Sequence, residues 1–561
     1  MTWRLLILGA VLLTLPSDSR AGDRLKELQT QAMQNRHSPA AHWGTDPEKY
    51  VTWSTHSNRL IPVYAFGTKG AGKGVDLPSY TGANSAYRSD AKLRSIYGYV
   101  PTNTVTADAD YMDQTDVARL QKAAIAAGKK HVFLVVFDGF DWQTARAAAI
   151  YKTGKVAYDS GRGTGLHIQD YKADGTTQFG LMVTSPHNDG TKVDVNTQTV
   201  KNPGGEKRGG YDPKLAGTAP WNQPPDDPKY LIGQSDAPGS KHAYTDSAAS
   251  ATSMTSGGKT YNDAINRDAT GAPLVTAAHE AQLKGYAVGV VTSVPISHAT
   301  PAAAYSHNVH RDDYQDLTRD LLGLKSVSHP EKPLPGLDVL IGAGWGVDRP
   351  RDDGQGEDFV PGNRYLTADD RDAIDVANGG KYVVAERTAG IDGAVRLKEA
   401  AAEAAEQGQR LFGYYGSAGK YSSGGNLPFA TADGNYDPAP GTKPNPGHYP
   451  PEDLLENPTL AEMTEAALTV LSKDPEGFWL MVESGDVDWA NHDNNLDASI
   501  GSVLSGDDAV RVITDWVEQN GGWKDSVMIV TGDHGHYLVL DKPELLISDE
   551  QPEAGDVTKT D

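Results

Sequence analysis

The 561-residue sequence contains no cysteine. That absence excludes a disulfide framework, a thiolate zinc site and a cysteine nucleophile. Basic residues are in short supply as well: 51 Lys and Arg stand against 74 Asp and Glu, a formal net charge of −23. Nucleic acid and anionic membrane surfaces are recognised by a basic face, so neither is an expected partner. The same balance leaves a phosphorylated substrate open, because carboxylates can hold metal ions that make a site locally positive. Long apolar runs are missing, except for one near the start. Arg4 precedes the uncharged stretch Leu5 to Leu15, which is too short to cross a bilayer, and Ser19-Arg20-Ala21 places small residues before Gly22 as a cleavage point requires. Residues 1–21 therefore read as a secretory signal peptide. The expectation is an exported protein, periplasmic or extracellular, with no membrane span after cleavage.

What is abundant is Gly (60) and Pro (33), which predict many turns and long surface loops. Residues 22–130 are polar and rich in Tyr, Gly and Thr, with one helical pattern near Gln114 to Lys129, and read as an N-terminal arm laid on the main domain. Within them, Gly67 to Gly74 nearly fits a phosphate-binding loop, but Gly74 stands where a metal-binding hydroxyl belongs, so a glycine-rich turn is expected. From residue 131 onward short apolar runs alternate with helical patterns. The runs are 132–137, 287–293, 337–342, 411–415, 478–483 and 526–532; helical patterns fall at 273–284, 311–322, 396–406, 460–471 and 507–519. This alternation predicts an α/β fold, a doubly wound three-layer sandwich with a large, mostly parallel sheet and helices on both faces. Two loop-rich stretches, about 155–243 and 416–457, read as insertions in a catalytic domain spanning 131–545, followed by an acidic, polar tail over 546–561.

In such sheets ligands bind at the carboxyl ends of the strands. Asp138 follows the first run, Glu483 ends the fifth with Asp486, Asp488 and His492 close behind, and Asp533, His534 and His536 follow the last. One aspartate after a strand is as readily a turn or helix cap. Three such groups, all carboxylate or imidazole, point to metal ions: carboxylate with imidazole suits zinc, carboxylate with hydroxyl suits magnesium. Asp246 can cap a helix beginning at Ser247, where free backbone N–H groups favour an incoming phosphate. A simple Asp-capped helix of small packing residues reads equally well from this segment alone.

Thr245-Asp246-Ser247-Ala248-Ala249-Ser250-Ala251-Thr252 resembles the signature around the phosphorylated serine of alkaline phosphatases. Val136 to Gly139, Ser297 to Pro301, His307 to Asp312, Met481 to Gly485 with Asp488 and His492, and Thr531 to His536 resemble the other blocks of that family, in its order, over about 131–540. The resemblance implies a metal-dependent phosphate-monoester hydrolase of broad range, with Ser247 as nucleophile and Arg311 holding the phosphate. It implies one zinc on Asp138, Asp533 and His534, a second on Asp488 and His492, and magnesium on Asp138, Thr300 and Glu483. Small-molecule phosphate monoesters are the implied partners, and a homodimer is compatible with the family.

Three departures stand out. His298 replaces an acidic residue found near magnesium in some members, and Trp489 replaces a histidine or lysine found near the phosphate in many. More seriously, the family completes the second zinc site with a histidine on a later C-terminal segment, whereas no histidine follows His536 here. Either another residue or chain fills the position, with His536 as one recruit, or the gene product is incomplete. The competing reading is a phosphate- and metal-binding protein with little turnover. A third, hydrolysis of phosphodiesters or sulfate esters, is disfavoured by the motif around Ser247 and by Arg311.

Overall fold

Residues His131–Phe137 form a strand buried on both faces. Phe133, Val135 and Phe137 enter one apolar cluster, Val132, Leu134 and Val136 the other, as the two-residue period of a central strand requires. The computed structural model describes residues 24–53, 55–68, 74–222, 228–232, 242–417, 425–443 and 449–547. The expected signal peptide, most of the glycine-rich turn and nearly all of the tail lie outside the described residues.

In chain order the main sheet is built from β1 (Ile61–Phe66), β2 (Met112–Asp113), β3 (His131–Phe137), β4 (Gln178–Val183) and β5 (Ala287–Pro295). It continues with β6 (Val339–Ala343), β7 (Tyr382–Glu386), β8 (Arg410–Tyr414), β9 (Phe478–Ser484) and β10 (Ser526–Gly532). The ten strands lie in the order β7-β8-β6-β5-β9-β3-β10-β1-β4-β2. Strands β7 through β10 in that order are parallel neighbours, and only β1 runs against the rest. Helices Trp142–Thr153, Gly393–Gln407, Leu460–Leu471 and Leu496–Gln519 feed one apolar cluster; Thr115–Ala126, Ala277–Leu283 and Tyr314–Leu322 feed the other. This is the expected α/β sandwich with helices on both faces.

The N-terminal stretch does more than lie on the domain. Its strand β1 pairs with β10 on one side and β4 on the other, all six of its residues buried. Its helix Thr115–Ala126 packs against the helix Ser247–Ser256. The stretch expected as an insertion over 155–243 likewise contributes β4 to the sheet. Both strands escape the alternation rule because they are joined to long loops and not to helices. A small separate sheet pairs Ala41–Trp43 with Leu538–Leu540, which ties the arm to the segment just beyond β10.

Candidate active site

Strands β3, β9 and β10 are adjacent and parallel, so the residues that follow them arrive at one edge. Asp138 follows β3, and its backbone N–H donates to the Ser484 carbonyl at 3.2 Å. Asp533 follows β10; its Oδ1 accepts from the Gly139 and His534 backbone N–H groups at 2.9 and 2.8 Å. The turn after Asp138 needs glycine: Gly139 has φ +71°, and a Cβ there would meet Asp488 Cα at 2.7 Å and His536 Nε2 at 2.9 Å. That close approach brings the β3 and β10 ends against the short helix Asp486–His492.

Ser247 opens the helix Ser247–Ser256, every residue of which is buried. Asp246 caps it, Oδ1 accepting from the Ala249 N–H at 2.9 Å. Ser247 Oγ lies 3.3 Å from Asp138 Oδ1 and 3.1 Å from His534 Nε2. His534 Nε2 in turn is 3.4 Å from both Asp138 Oδ1 and Asp533 Oδ2. The structure thus brings together Ser247 and the three residues expected around it.

On the far side Asp488 Oδ1 is the hub. His492 Nε2 stands 3.5 Å from it, one helical turn on, and His536 Nε2 donates to it at 2.7 Å. Into the same space comes His56, from the N-terminal stretch. Its Nε2 is 3.1 Å from His492 Nε2 and 3.6 Å from Asp488 Oδ1, and its ring stacks on His534 at 3.7 Å. The His56 Nδ1–H donates to the Thr245 carbonyl at 3.0 Å. That bond fixes the tautomer and leaves the Nε2 lone pair facing the cluster, the usual arrangement of a metal-ligating histidine. His536 bonds the same carboxylate oxygen that faces His56 and His492, so it orients Asp488. His56 was invisible to sequence reasoning; the only signal was a histidine placed shortly before a buried strand.

Glu483, inside β9, accepts a short hydrogen bond from Thr292, and Thr300 lies close enough to favour its ionised form. Arg311 donates through Nη1 to Asp246 Oδ2 at 3.0 Å and through Nη2 to His298 Nε2 at 3.2 Å. Asp246 therefore has two roles, capping the Ser247 helix and aiming Arg311, of which the sequence suggested one. The His298 ring lies 5.7 Å from that of Trp489, so the two departures from the family pattern are neighbours.

The electrostatics favour cations. Burial first, then the carboxylates Asp533, Asp488 and Glu483, push Asp138 well above the usual range. Burial likewise pushes Glu483 up to about 8 and Asp533 up to about 6. Burial opposes ionisation of Asp488 too, but His492 and the hydrogen bond from His536 outweigh it and hold that carboxyl low. Burial lowers His492 to about 3 and His56 to about 4, so both rings are neutral lone-pair donors at ordinary pH. Asp138 Oδ2, Asp533 Oδ2, Glu483 Oε1, Thr300 Oγ1 and His534 Nδ1 are buried with no well-formed protein hydrogen bond. Four carboxylates packed this closely, three of them with an orphaned oxygen, are a donor set suited to divalent ions. Asp138, Asp533 and His534 form one such group; His56, Asp488, His534 and His536 form another.

The family model described as alkaline phosphatase matches residues 220–545, more than half of the chain. The chain belongs to the alkaline phosphatase family. Alkaline phosphatase 3 of Bacillus subtilis is 28% identical over 310 residues, covering 54% of this chain and 53% of its own. The alkaline phosphatase of Escherichia fergusonii is 30% identical over 317 residues, covering 54% and 60%. The chain thus spans about half the length of the curated relatives it matches. Among solved structures, the alkaline phosphatase of Thermus thermophilus is similar over 73% of this chain and 60% of its own, with a TM-score of 0.42 and 22% identity. His56 and Asp138 both precede the stretch matched by the alkaline phosphatase model.

Proposed function

We propose that this protein hydrolyses phosphate monoesters through a phosphoserine at Ser247. The observation that carries the reading is the position of Ser247 Oγ, at a helix N-terminus and within 3.3 Å of Asp138 and His534. Asp138, Asp533 and His534 would hold one zinc-class ion beside it; Asp488, His492 and His56 would hold a second. Asp138, Thr300 and Glu483 would hold magnesium. The chemistry such ions supply is a lowered pKa for a bound hydroxyl or water and neutralisation of charge on attacking and leaving oxygens.

The protein's own groups do the rest. Ser247 Oγ releases its proton to solvent and bonds to phosphorus as the ester oxygen departs, and that oxygen takes up a proton from water. Water then attacks phosphorus, one of its protons passes to Ser247 Oγ as the Oγ–P bond breaks, and inorganic phosphate leaves with Ser247 restored. The free N–H groups at the start of the Ser247 helix face the phosphoryl oxygens. Arg311 presents its planar fork to two of them, its angle set by Asp246 and His298. Burial and the Arg311 charge hold His298 down at about 3, so it accepts from Arg311 and does not repel it. These contacts address the phosphoryl group and leave the alcohol unread, which supports a broad substrate range. With His56 beside Asp488 and His492, both sides of the phosphorus have a three-residue donor set, which supports turnover over mere binding.

The test is phosphate release from a generic aryl phosphate at alkaline pH. Ser247→Ala should reduce it by at least about a thousandfold, and chelation should abolish it in the wild type. Full metal-dependent activity in Ser247→Ala would sink the proposal. Export rests on Arg4, Leu5 to Leu15 and Ser19-Arg20-Ala21 and is tested by cell fractionation; recovery in the cytosol alone would refute it.

A further inference from the structure

Away from the strand ends, a second set of donors converges. His307 Nδ1 and His329 Nε2 are 3.1 Å apart. Asp320 Oδ2 lies 3.8 Å from His329 Nε2, and one ligand atom from each of the three residues falls within 4.8 Å of the others. His307 and Asp320 are buried, while the His329 side chain is 21% exposed. None of the three belongs to the machinery assigned above.

The surroundings are built as they would be for a metal. The His307 Nε2–H donates to the Leu274 carbonyl at 2.8 Å, which leaves the Nδ1 lone pair aimed at His329. The Asp320 carboxylate is braced on both oxygens: Oδ2 accepts from the His307 backbone N–H at 3.0 Å and Oδ1 from the Ser326 hydroxyl at 2.6 Å. Ser326 Oγ also accepts from the His329 N–H at 3.1 Å, so one serine fixes the loop that carries His329. Asp320 nevertheless has no strong cation in contact with it. Among the described residues its only ion-pair contact is His329; Arg267 bonds to the Gly271 carbonyl and the Ser328 hydroxyl and acts on Asp320 only through its field. A fully buried carboxylate without a cation is costly.

We propose that His307, Asp320 and His329 form a structural site for a zinc-class divalent ion. Tetrahedral coordination with bonds of about 2.0–2.1 Å places ligand atoms roughly 3.3–3.5 Å apart. The separations of 3.1 and 3.8 Å bracket that spacing. Two imidazoles and one carboxylate select zinc, cobalt or nickel over magnesium or calcium. The exposed edge of His329 leaves the fourth position to water. An ion here pins the proline-rich loop around His329 to the segment that, four residues after His307, carries Arg311.

The proposal stands apart from the reading of the active site and is tested separately. The full-length protein is loaded with zinc, desalted, and its metal measured by mass spectrometry beside that of His329→Gln and Asp320→Asn. Glutamine at 329 can still donate to His307 Nδ1, so it preserves a plain hydrogen-bonded pair while removing a strong ligand. Each variant should lose about one equivalent per chain, with aryl phosphatase activity within about twofold of wild type. The chelator-induced fall in unfolding temperature should be smaller in both variants than in wild type. Unchanged metal content in His329→Gln would overturn the proposal and leave the pair as a hydrogen bond. Should His329→Gln fold poorly, cobalt loading of His492→Ala gives a second reading. A tetrahedral visible spectrum that is lost on adding His307→Gln supports the site, and a spectrum unaffected by His307→Gln refutes it.

Discussion

The two sides of the proposed active site are assembled differently. On the nucleophile's side, Asp138, Asp533 and His534 follow adjacent parallel strands, and Ser247 heads a helix packed against them. Every one of these residues lies in, or within two residues of, a regular α/β element. On the opposite side, Asp488 and His492 sit on a short helix, and the third donor, His56, arrives from near the other end of the chain. What carries it there is the antiparallel strand β1, docked between β10 and β4. The first side is a property of the sheet; the second also needs the N-terminal stretch to be in place.

The sharpest way to break this contrast is to remove His56. His56→Ala should lower turnover by about a hundred- to a thousandfold, comparable to His492→Ala, and the double variant should be little worse than either. Titrating metal against activity checks this, with His56→Ala needing far more added zinc to recover. His536→Ala, which removes an orienting hydrogen bond to Asp488, should cost less, about ten- to a hundredfold. If His56→Ala were near wild type while His536→Ala were inactive, His536 would be the ligand and the assignment would reverse.

The same contrast explains what the sequence could show. Runs such as 132–137 and 526–532 are apolar along most of their length, are each followed by Asp, and alternate with helical patterns. They announce both the parallel sheet and the residues at its edge. Strands β1 and β4 carry no such rhythm. Pro62 interrupts β1, Gly180 interrupts β4, and neither is followed by a helix, so the first reads as part of an arm and the second as part of an insertion. His56 could not be found by motif, because its role depends on which strand β1 pairs with. Asp246 was legible as a cap from its place before Ser247, but its bond to Arg311 spans 65 positions and appears only in the fold.

A second experiment sharpens the comparison where the two sides touch. Gly139 separates Asp138 from the Asp488 helix, and an added Cβ would strike Asp488 Cα at 2.7 Å from a φ of +71°. Gly139→Ala should destabilise the fold by about 2–4 kcal/mol and weaken activity on both counts, since neither backbone can yield without moving donors. Urea unfolding measures the first effect. A neutral result would mean that the two sides are not in the contact described.

The smallest effect should come from the amino end of β3, the far end of the strand that delivers Asp138. His131 begins that strand with Nδ1 3.0 Å from Ser526 Oγ and its ring between those of Phe478 and Trp516, 5.0 and 4.8 Å away. Burial lowers it to about 4, with nearby Asp525 opposing. A folded-state value below the ordinary one of about 6.5 means that the unfolded chain takes up the proton first as pH falls. The stability that neutral His131 contributes is therefore whole above about pH 6.5, declines towards pH 4 and is gone below it. His131→Gln removes that titration, so its urea midpoint should fall less steeply than wild type between those limits, while phosphatase activity at alkaline pH stays unchanged. Parallel curves for the two proteins would show that the ring is solvated. A large loss of activity would show that the two ends of β3 are coupled, which the packing of this strand gives no reason to expect.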